Sequence, residues 1–532
     1  MSTEVYFKQN VLVEPLFNQW YATAFLIPPA SAAMFIANSH LKIMQSFVAA
    51  PQVHAAALKN PAMLGGPFIN YDASKVSEIK RLVEEIRGRQ AHMIEFAEAV
   101  SSFEHLLSTE ANGDSLEDLY AKVPAPLKGY VELVYDLHNR PSIRFIEGLL
   151  YKSKYYDPSS QSVALSQRES DNRSFVCSTP RLRTEDRRFL DVPFKSEGLD
   201  ELFKMKFVPG SYERVAEALG ADNGNKELFR SFFTSEPPAP RPPYTGGGVR
   251  IRYFGHACIL IETDEVSILS DPVISYKDDS GIDRYIHTDL PEKIDYVLIT
   301  HNHADHLMFE TLLQLRHKIR RLILPKGSGS ARMDPSLKLI MRTTGFACAE
   351  EIDELERIEL PGGAITGLPF LGEHADLNIR AKMAYLVELK GKSILLAADS
   401  NNIEPELYAR LHEVLGEVEV LFLGMECDGA PMSWLYGPLF TQPIARRNDQ
   451  SRRLNGSNYE KALGIVDLLK PQEVYVYAMG QEPWLTFLTS IHYTEQSRPI
   501  IDSSRLVAEC IARGLPAERL YVRKELFLNT GP

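Results

Sequence analysis

The chain has 532 residues, 44% of them hydrophobic and 24% charged, which is a globular composition long enough for roughly two to four domains. Its formal net charge of −12 offers no broad basic field to a nucleic-acid backbone, although Arg446, Arg447, Arg452 and Arg453 make a local basic patch. Five cysteines (Cys177, Cys258, Cys348, Cys427 and Cys510) form no CxxC pair, so they read as reduced cytosolic thiols rather than disulfides or zinc thiolates.

In chain order, the start Met1-Ser2-Thr3-Glu4 lacks the basic-then-apolar pattern of a signal peptide. The apolar run Ala22–Ala37 is interrupted by Pro28-Pro29 and is too short to span a bilayer. A soluble, cytoplasmic protein is expected. Trp20 in FNQWYATAF and the Gly65-Gly66-Pro67-Phe68 stretch read as packing and turn elements. Over Val76–Leu107, apolar residues recur at three- and four-residue steps, which predicts one amphipathic helix weakened locally at Gly88. Residues Glu236–Gly248 (EPPAPRPPYTGGG) have a linker composition, stiff prolines followed by free glycines. The chain thus divides into a mainly helical part over 1–235, a linker over 236–248 and an α/β part over 249–532.

The α/β part opens with strand-like runs, Val249–Glu262 and Val266–Asp271. The buried-strand run Ile294–Thr300 then ends directly in His-Asn-His-Ala-Asp-His, residues 301–306, followed by a predicted amphipathic helix over Met308–Arg320. His301 and His303 can converge on one metal, and Asp305 and His306 can reach a second. So dense a cluster is costly to bury without a compensating cation. Three further apolar runs end in a carboxylate: Gly367–Gly372 before Glu373, Ser393–Ala398 before Asp399, and Val420–Met425 before Glu426. In layered α/β folds, sites lie beyond the strand ends, so one convergent metal site is expected. The residues alone leave the next ligand open between Glu373 and His374. With His374 the site reads as a dizinc hydrolase of thioesterase or lactonase type. With Glu373 it gains the oxygen donors that suit iron and O2. A late histidine ligand has no counterpart in Val476–Glu482, and His492 is the fallback. His256 is not counted as a ligand.

The paired strands together with HxHxDH resemble the metallo-β-lactamase superfamily, an αββα sandwich in which the position of Asp271 is usually structural. The segments THNHADH, PFLGEHADLNIRAK, LLAADSNNI, GMECDGAPMSWLYGPL and EVYVYAMGQEPW, with EPLFNQWYA and GGPF near the start, resemble the chloramphenicol-pathway β-hydroxylase (CmlA-type) family. These are diiron monooxygenases acting on aminoacyl groups tethered to nonribosomal peptide synthetases in antibiotic biosynthesis. The resemblance implies that His301, His303, Asp305, His306, Glu373, Asp399 and Glu426 bind two iron ions. Glu373 and Asp399 are then the residues closest to the chemistry, with Asp399 as the bridge. It also implies O2 as cosubstrate and a carrier (thiolation) domain with a phosphopantetheine-bound amino acid as partner. No GxGxxG or flavodoxin-like extension precedes Pro532, so an external electron donor is expected. The N-terminal domain is expected to support a homodimer and carrier docking. Arg452, Arg453, Asn455 and Ser457 are candidate arm contacts, and Trp434, Tyr436 and Trp484 candidate pocket walls. The amino acid hydroxylated stays open between an aliphatic residue such as leucine and an aromatic one.

Overall fold

A computed structural model describes residues 4–221, 224–239 and 241–529. Met1–Thr3, and Pro240 of the linker, lie outside them. The C-terminal half is built on two seven-stranded sheets. In the first, Val249–Tyr253, Ile259–Glu262 and Ser267–Ser270 run as an antiparallel meander, and Ser267–Ser270 then pairs in parallel with Ile294–Leu298. In the second, Gly363–Leu368, Ala384–Leu389 and Lys392–Leu396 are antiparallel, whereas Lys392–Leu396, Val420–Gly424 and Glu473–Tyr477 are parallel. The sheets face each other across one apolar core containing Ile251, Ile268, Leu298, Tyr385, Ile394 and Phe422. Helices such as Pro405–Leu415, Tyr459–Leu469 and Arg498–Ala512 cover the outer face of the second sheet through Leu411, Ile465 and Leu506. This is the expected αββα sandwich. Its parallel strands are buried on both faces, which is why they read as unbroken apolar runs.

The N-terminal part adds to its helices a four-stranded sheet that includes Val11–Phe17 and Gln161–Gln167. It packs directly on the sandwich. Glu14, 2% exposed, accepts from Arg181 Nε at 2.9 Å and Arg173 Nη2 at 2.7 Å; Arg173 also reaches Glu310 at 2.8 Å. Tyr21 and Tyr276 each donate to Glu310 at 2.9 Å.

Two helical expectations need correction. The run Val76–Leu107 forms two helices, Val76–Arg89 and Ala91–Glu110. They part at Gln90 rather than Gly88, because Gln90 is buried and its amide donates to Ser160 Oγ at 2.7 Å. The helix after HNHADH is only Phe309–Leu315, and every residue of it is buried. It is not amphipathic in context: the N-terminal part covers the face that would have met water, and Arg173, Tyr21 and Tyr276 satisfy Glu310. No described helix is long and apolar enough to cross a membrane.

Candidate metal centre

Each sheet delivers its polar residues from strand ends on one edge. The strand Ile294–Leu298 ends three residues before His301, which is fully buried. Gly363–Leu368 leads through an irregular stretch to Glu373, Lys392–Leu396 to Asp399, and Val420–Gly424 to Glu426. The backbone is strained where the candidate ligands emerge. Positive φ values occur at Gly372 (83°), Glu373 (66°), Ala398 (50°), Asp271 (35°) and His256 (53°), and side chains other than glycine adopt such angles only when packing enforces them.

The geometry gathers His301, His303, Glu373 and His374 into one donor group, His301, His306 and Asp399 into a second, and His256, Asp305 and His306 into a third. Glu426 lies outside these tight groups but lines the same cavity as Glu373, Asp399, Asp305 and His303. His303 Nδ1 is 2.9 Å from Glu373 Oε1, and His306 Nε2 is 3.0 Å from Asp399 Oδ2. Several inward-facing atoms, among them His301 Nε2, His306 Nε2, Glu373 Oε2 and Asp399 Oδ1, are buried without a hydrogen bond. Orphaned lone pairs facing one another are what a pair of cations would satisfy. Four carboxylates also neutralise two divalent ions. The donor set therefore fits a dinuclear metal centre.

The surroundings orient these donors. Asp271, fully buried, accepts from the Thr300 backbone N–H (2.8 Å), from Thr300 Oγ1 (2.6 Å) and from His306 Nδ1 (2.8 Å). Thr300 Oγ1 also lies 3.0 Å from His301 Nδ1. Both histidines are thus turned so that Nε2 faces inward. His256 Nδ1 accepts from the Gly480 N–H at 3.2 Å, so a neutral ring keeps its proton on Nε2, 3.3 Å from Asp305 Oδ2. His256 thus turns Nε2 toward Asp305, within the third donor group. Tyr493 donates to Glu426 Oε1 at 3.1 Å.

Charges in the site are perturbed accordingly. Burial pushes Glu373 up to about 7 and Glu426 up to about 8. Burial, and then the neighbouring His306 and His303, push His301 far down. Burial also opposes a charge on His306, but Asp399 and Asp271 outweigh it and the net shift is upward. Burial would raise Asp305, yet the histidines beside it, His256 first, hold it well below the usual carboxylate range.

The cavity over this floor has a volume of about 390 Å³. Its walls are mostly apolar and come from both halves of the chain: Phe25, Phe35 and Leu64 from the first, Leu435, Leu488 and Ile491 from the second. Gly65 lies at the rim, where its carbonyl accepts from Trp434 Nε1 at 2.9 Å. The GGPF turn thus borders the site, a role that local composition does not reveal. Other candidates lie elsewhere. Arg452 Nε donates to the Ala375 carbonyl and Arg453 Nε to that of Gly429, both at 2.8 Å. Asn455 accepts from Gly429 N–H, and Ser457 is fully buried, bridging Ser400 and Asn402. These four brace the loops. Trp484 belongs to a small core cluster under Arg284, and His492 is exposed and outside every donor group.

Residues 6–237 match the family described as the diiron non-heme beta-hydroxylase N-terminal domain, and residues 250–424 match the beta-lactamase superfamily domain. The chain belongs to the diiron β-hydroxylase family and is an enzyme of that oxygenase class, with a metallo-β-lactamase catalytic domain. Over 528 residues it is 40% identical to the 4-amino-L-phenylalanyl-[CmlP-peptidyl-carrier-protein] 3-hydroxylase of Streptomyces venezuelae, covering 98% of this chain and 99% of that one. The crystal structure of CmlA, a diiron β-hydroxylase from Streptomyces venezuelae, aligns with a TM-score of 0.93 at 39% identity, covering 99% of this chain and 100% of the other. A mutant form of the CmlA β-hydroxylase aligns with a TM-score of 0.90, also at 39% identity, over 98% of this chain and 100% of the other. Full-length similarity of this kind favours the oxygenase reading over the dizinc hydrolase.

Proposed function

We propose that this protein uses two iron ions and O2 to hydroxylate Cβ of an aminoacyl group held as a thioester on the carrier domain of a nonribosomal peptide synthetase. The observation that carries this reading is the donor set itself. His303 and four carboxylates line one apolar-walled cavity, His301 and His306 lie buried against them, and oxygen-rich sets of this kind suit iron. Within the proposal His301, His303, Asp305, His306, Glu373, Asp399 and Glu426 would hold the metals. Bound iron supplies the O2 activation that no side chain here provides. Insertion of one oxygen atom, with the other leaving as water, consumes two electrons and two protons, so an external reductant completes the balance.

The protein's own residues orient and exclude. Asp271 and Thr300 orient His301 and His306, as described above. The apolar walls seat an aminoacyl side chain and keep bulk water from the reacting carbon. By family resemblance the N-terminal region also carries homodimer contacts, which sedimentation analysis tests.

The test is incubation of the iron-loaded protein with O2, reductant and a panel of aminoacyl-loaded carrier domains, read by intact mass. A gain of one oxygen atom on an acylated carrier is the expected result. Purified protein that holds zinc, takes up no iron and releases free amino acid from the carrier would sink the reading. For the ligand assignment, Glu373→Ala is expected to lose a metal while His374→Ala retains both. The reverse outcome assigns His374.

A further inference from the structure

The three histidines of the HxHxDH motif do not receive the same kind of support. His301 and His306 turn their outer nitrogens to Thr300 and Asp271, residues of the sandwich itself. His303 is turned the other way round. Its Nδ1 faces the donor group, 2.9 Å from Glu373 Oε1, and its outer nitrogen Nε2 lies 2.9 Å from the hydroxyl of Tyr436. Tyr436 is fully buried and lies on the short helix Met432–Tyr436, beyond the 250–424 stretch that matches the superfamily domain.

Tautomer chemistry makes this contact more than packing. A neutral imidazole that offers Nδ1 to a cation must carry its proton on Nε2. The Tyr436 oxygen is then the acceptor that this buried N–H requires. Without it, the N–H would be left buried and unpaired, or the ring would rotate.

Tyr436 is in turn held by the other half of the chain. The Phe25 ring meets it edge-on at 5.9 Å with an interplanar angle of 85°. Two residues further on, the Pro438 carbonyl accepts from Asn38 Nδ2 at 3.0 Å. Asn38 sits in a π-helical turn, Ile36–His40, a local widening often found beside functional sites.

We propose that Tyr436 is a positioning residue for the metal centre: its hydroxyl fixes the tautomer and rotation of His303, and the N-terminal domain, through Phe25 and Asn38, holds that hydroxyl in place. This rests on the diiron reading above, but its test separates the two.

The experiment uses full-length protein and Fe(II) added anaerobically, with iron retention measured against a competing chelator and the optical spectrum of the oxidised centre recorded. Tyr436→Phe is expected to fold as the parent does by circular dichroism, to hold iron about 10- to 100-fold more weakly, as loss of such an outer partner usually does, and to shift the spectrum. Phe25→Leu is expected to change retention in the same direction by less. Ile511→Ala, an exposed position on the helix Arg498–Ala512 away from the cavity, is expected to leave retention unchanged. Parental retention and an unchanged spectrum in Tyr436→Phe would overturn the proposal. If Tyr436→Phe fails to fold, a fluorinated tyrosine incorporated at 436 keeps the shape and changes only the acidity of the hydroxyl. An unshifted spectrum in that protein overturns the proposal equally. Failure of the parent protein to bind iron at all would instead overturn the diiron reading.

Discussion

Asp271 is a useful residue with which to begin, because a single carboxylate there orients two histidines and the strand end that carries them. All of its contacts are as an acceptor. Asp271→Asn would present an amide N–H to one of those donors. We expect the variant to fold and to bind iron about 10- to 100-fold more weakly, measured by chelator competition. Gly372 is a second telling position. It has a φ of 83°, and an added Cβ would sit 2.3 Å from Asn401 Cβ, so Gly372→Ala is expected to displace Glu373. The candidate ligands of the HxHxDH motif are legible in the sequence because four of them lie within six residues. Asp271 and Tyr436 are less so. They act on histidines 35 and 133 residues away, and nothing local to either announces the partner.

Elements were predicted well where burial is two-sided and less well where a partner element changes the environment. The apolar runs before His301, Asp399 and Glu426 are strands because sheet and helix layers cover both faces. The segment after HNHADH has helical periodicity with polar positions, yet it is sealed under the N-terminal part. Another buried acid on a short helix shows what such contacts cost. Glu147, 6% exposed, lies on Glu147–Leu150 and accepts from the Ser336 N–H at 3.1 Å across the two halves. Burial raises it to about 7. A carboxyl whose folded value is raised favours the protonated fold. Stability is therefore lost as pH rises from the unfolded value near 4.5 through about 7, and is constant on either side. The loss is on the order of 3 kcal/mol on the scale of 1.36 kcal/mol per unit. Glu147→Gln keeps the acceptor and removes the charge. Its melting temperature is expected to exceed that of the parent at pH 8 and to converge with it near pH 4.5.

At the scale of the whole molecule, the two halves are joined by a buried polar network rather than by apolar surface alone. Arg173 contacts Glu14 and Glu310 and lies 3.5 Å above the Phe487 ring, so one side chain ties the N-terminal sheet, the helix after the metal motif and the small core cluster around Phe487. Removing one member of a buried ion network leaves uncompensated charge, typically at a cost of about 3–5 kcal/mol. Arg173→Ala is expected to lower the melting temperature by several degrees and, through Glu310, to loosen the segment that begins at His306. Calorimetry with parallel iron determination checks both effects.

The amino-acid sequence by itself determined the sandwich, the strand-end placement of the acids and histidines, and the family. Each of these is written in short contiguous stretches, where alternation, burial and residue type follow from local chain geometry. Only the tertiary structure decided how the site is completed. The cavity wall takes Phe25 and Phe35 from one half of the chain and Leu435 and Ile491 from the other. The hydroxyl that steadies His303 comes from a helix 133 residues downstream. Such partners are chosen by packing, and packing is a property of surfaces that meet only once the chain has folded.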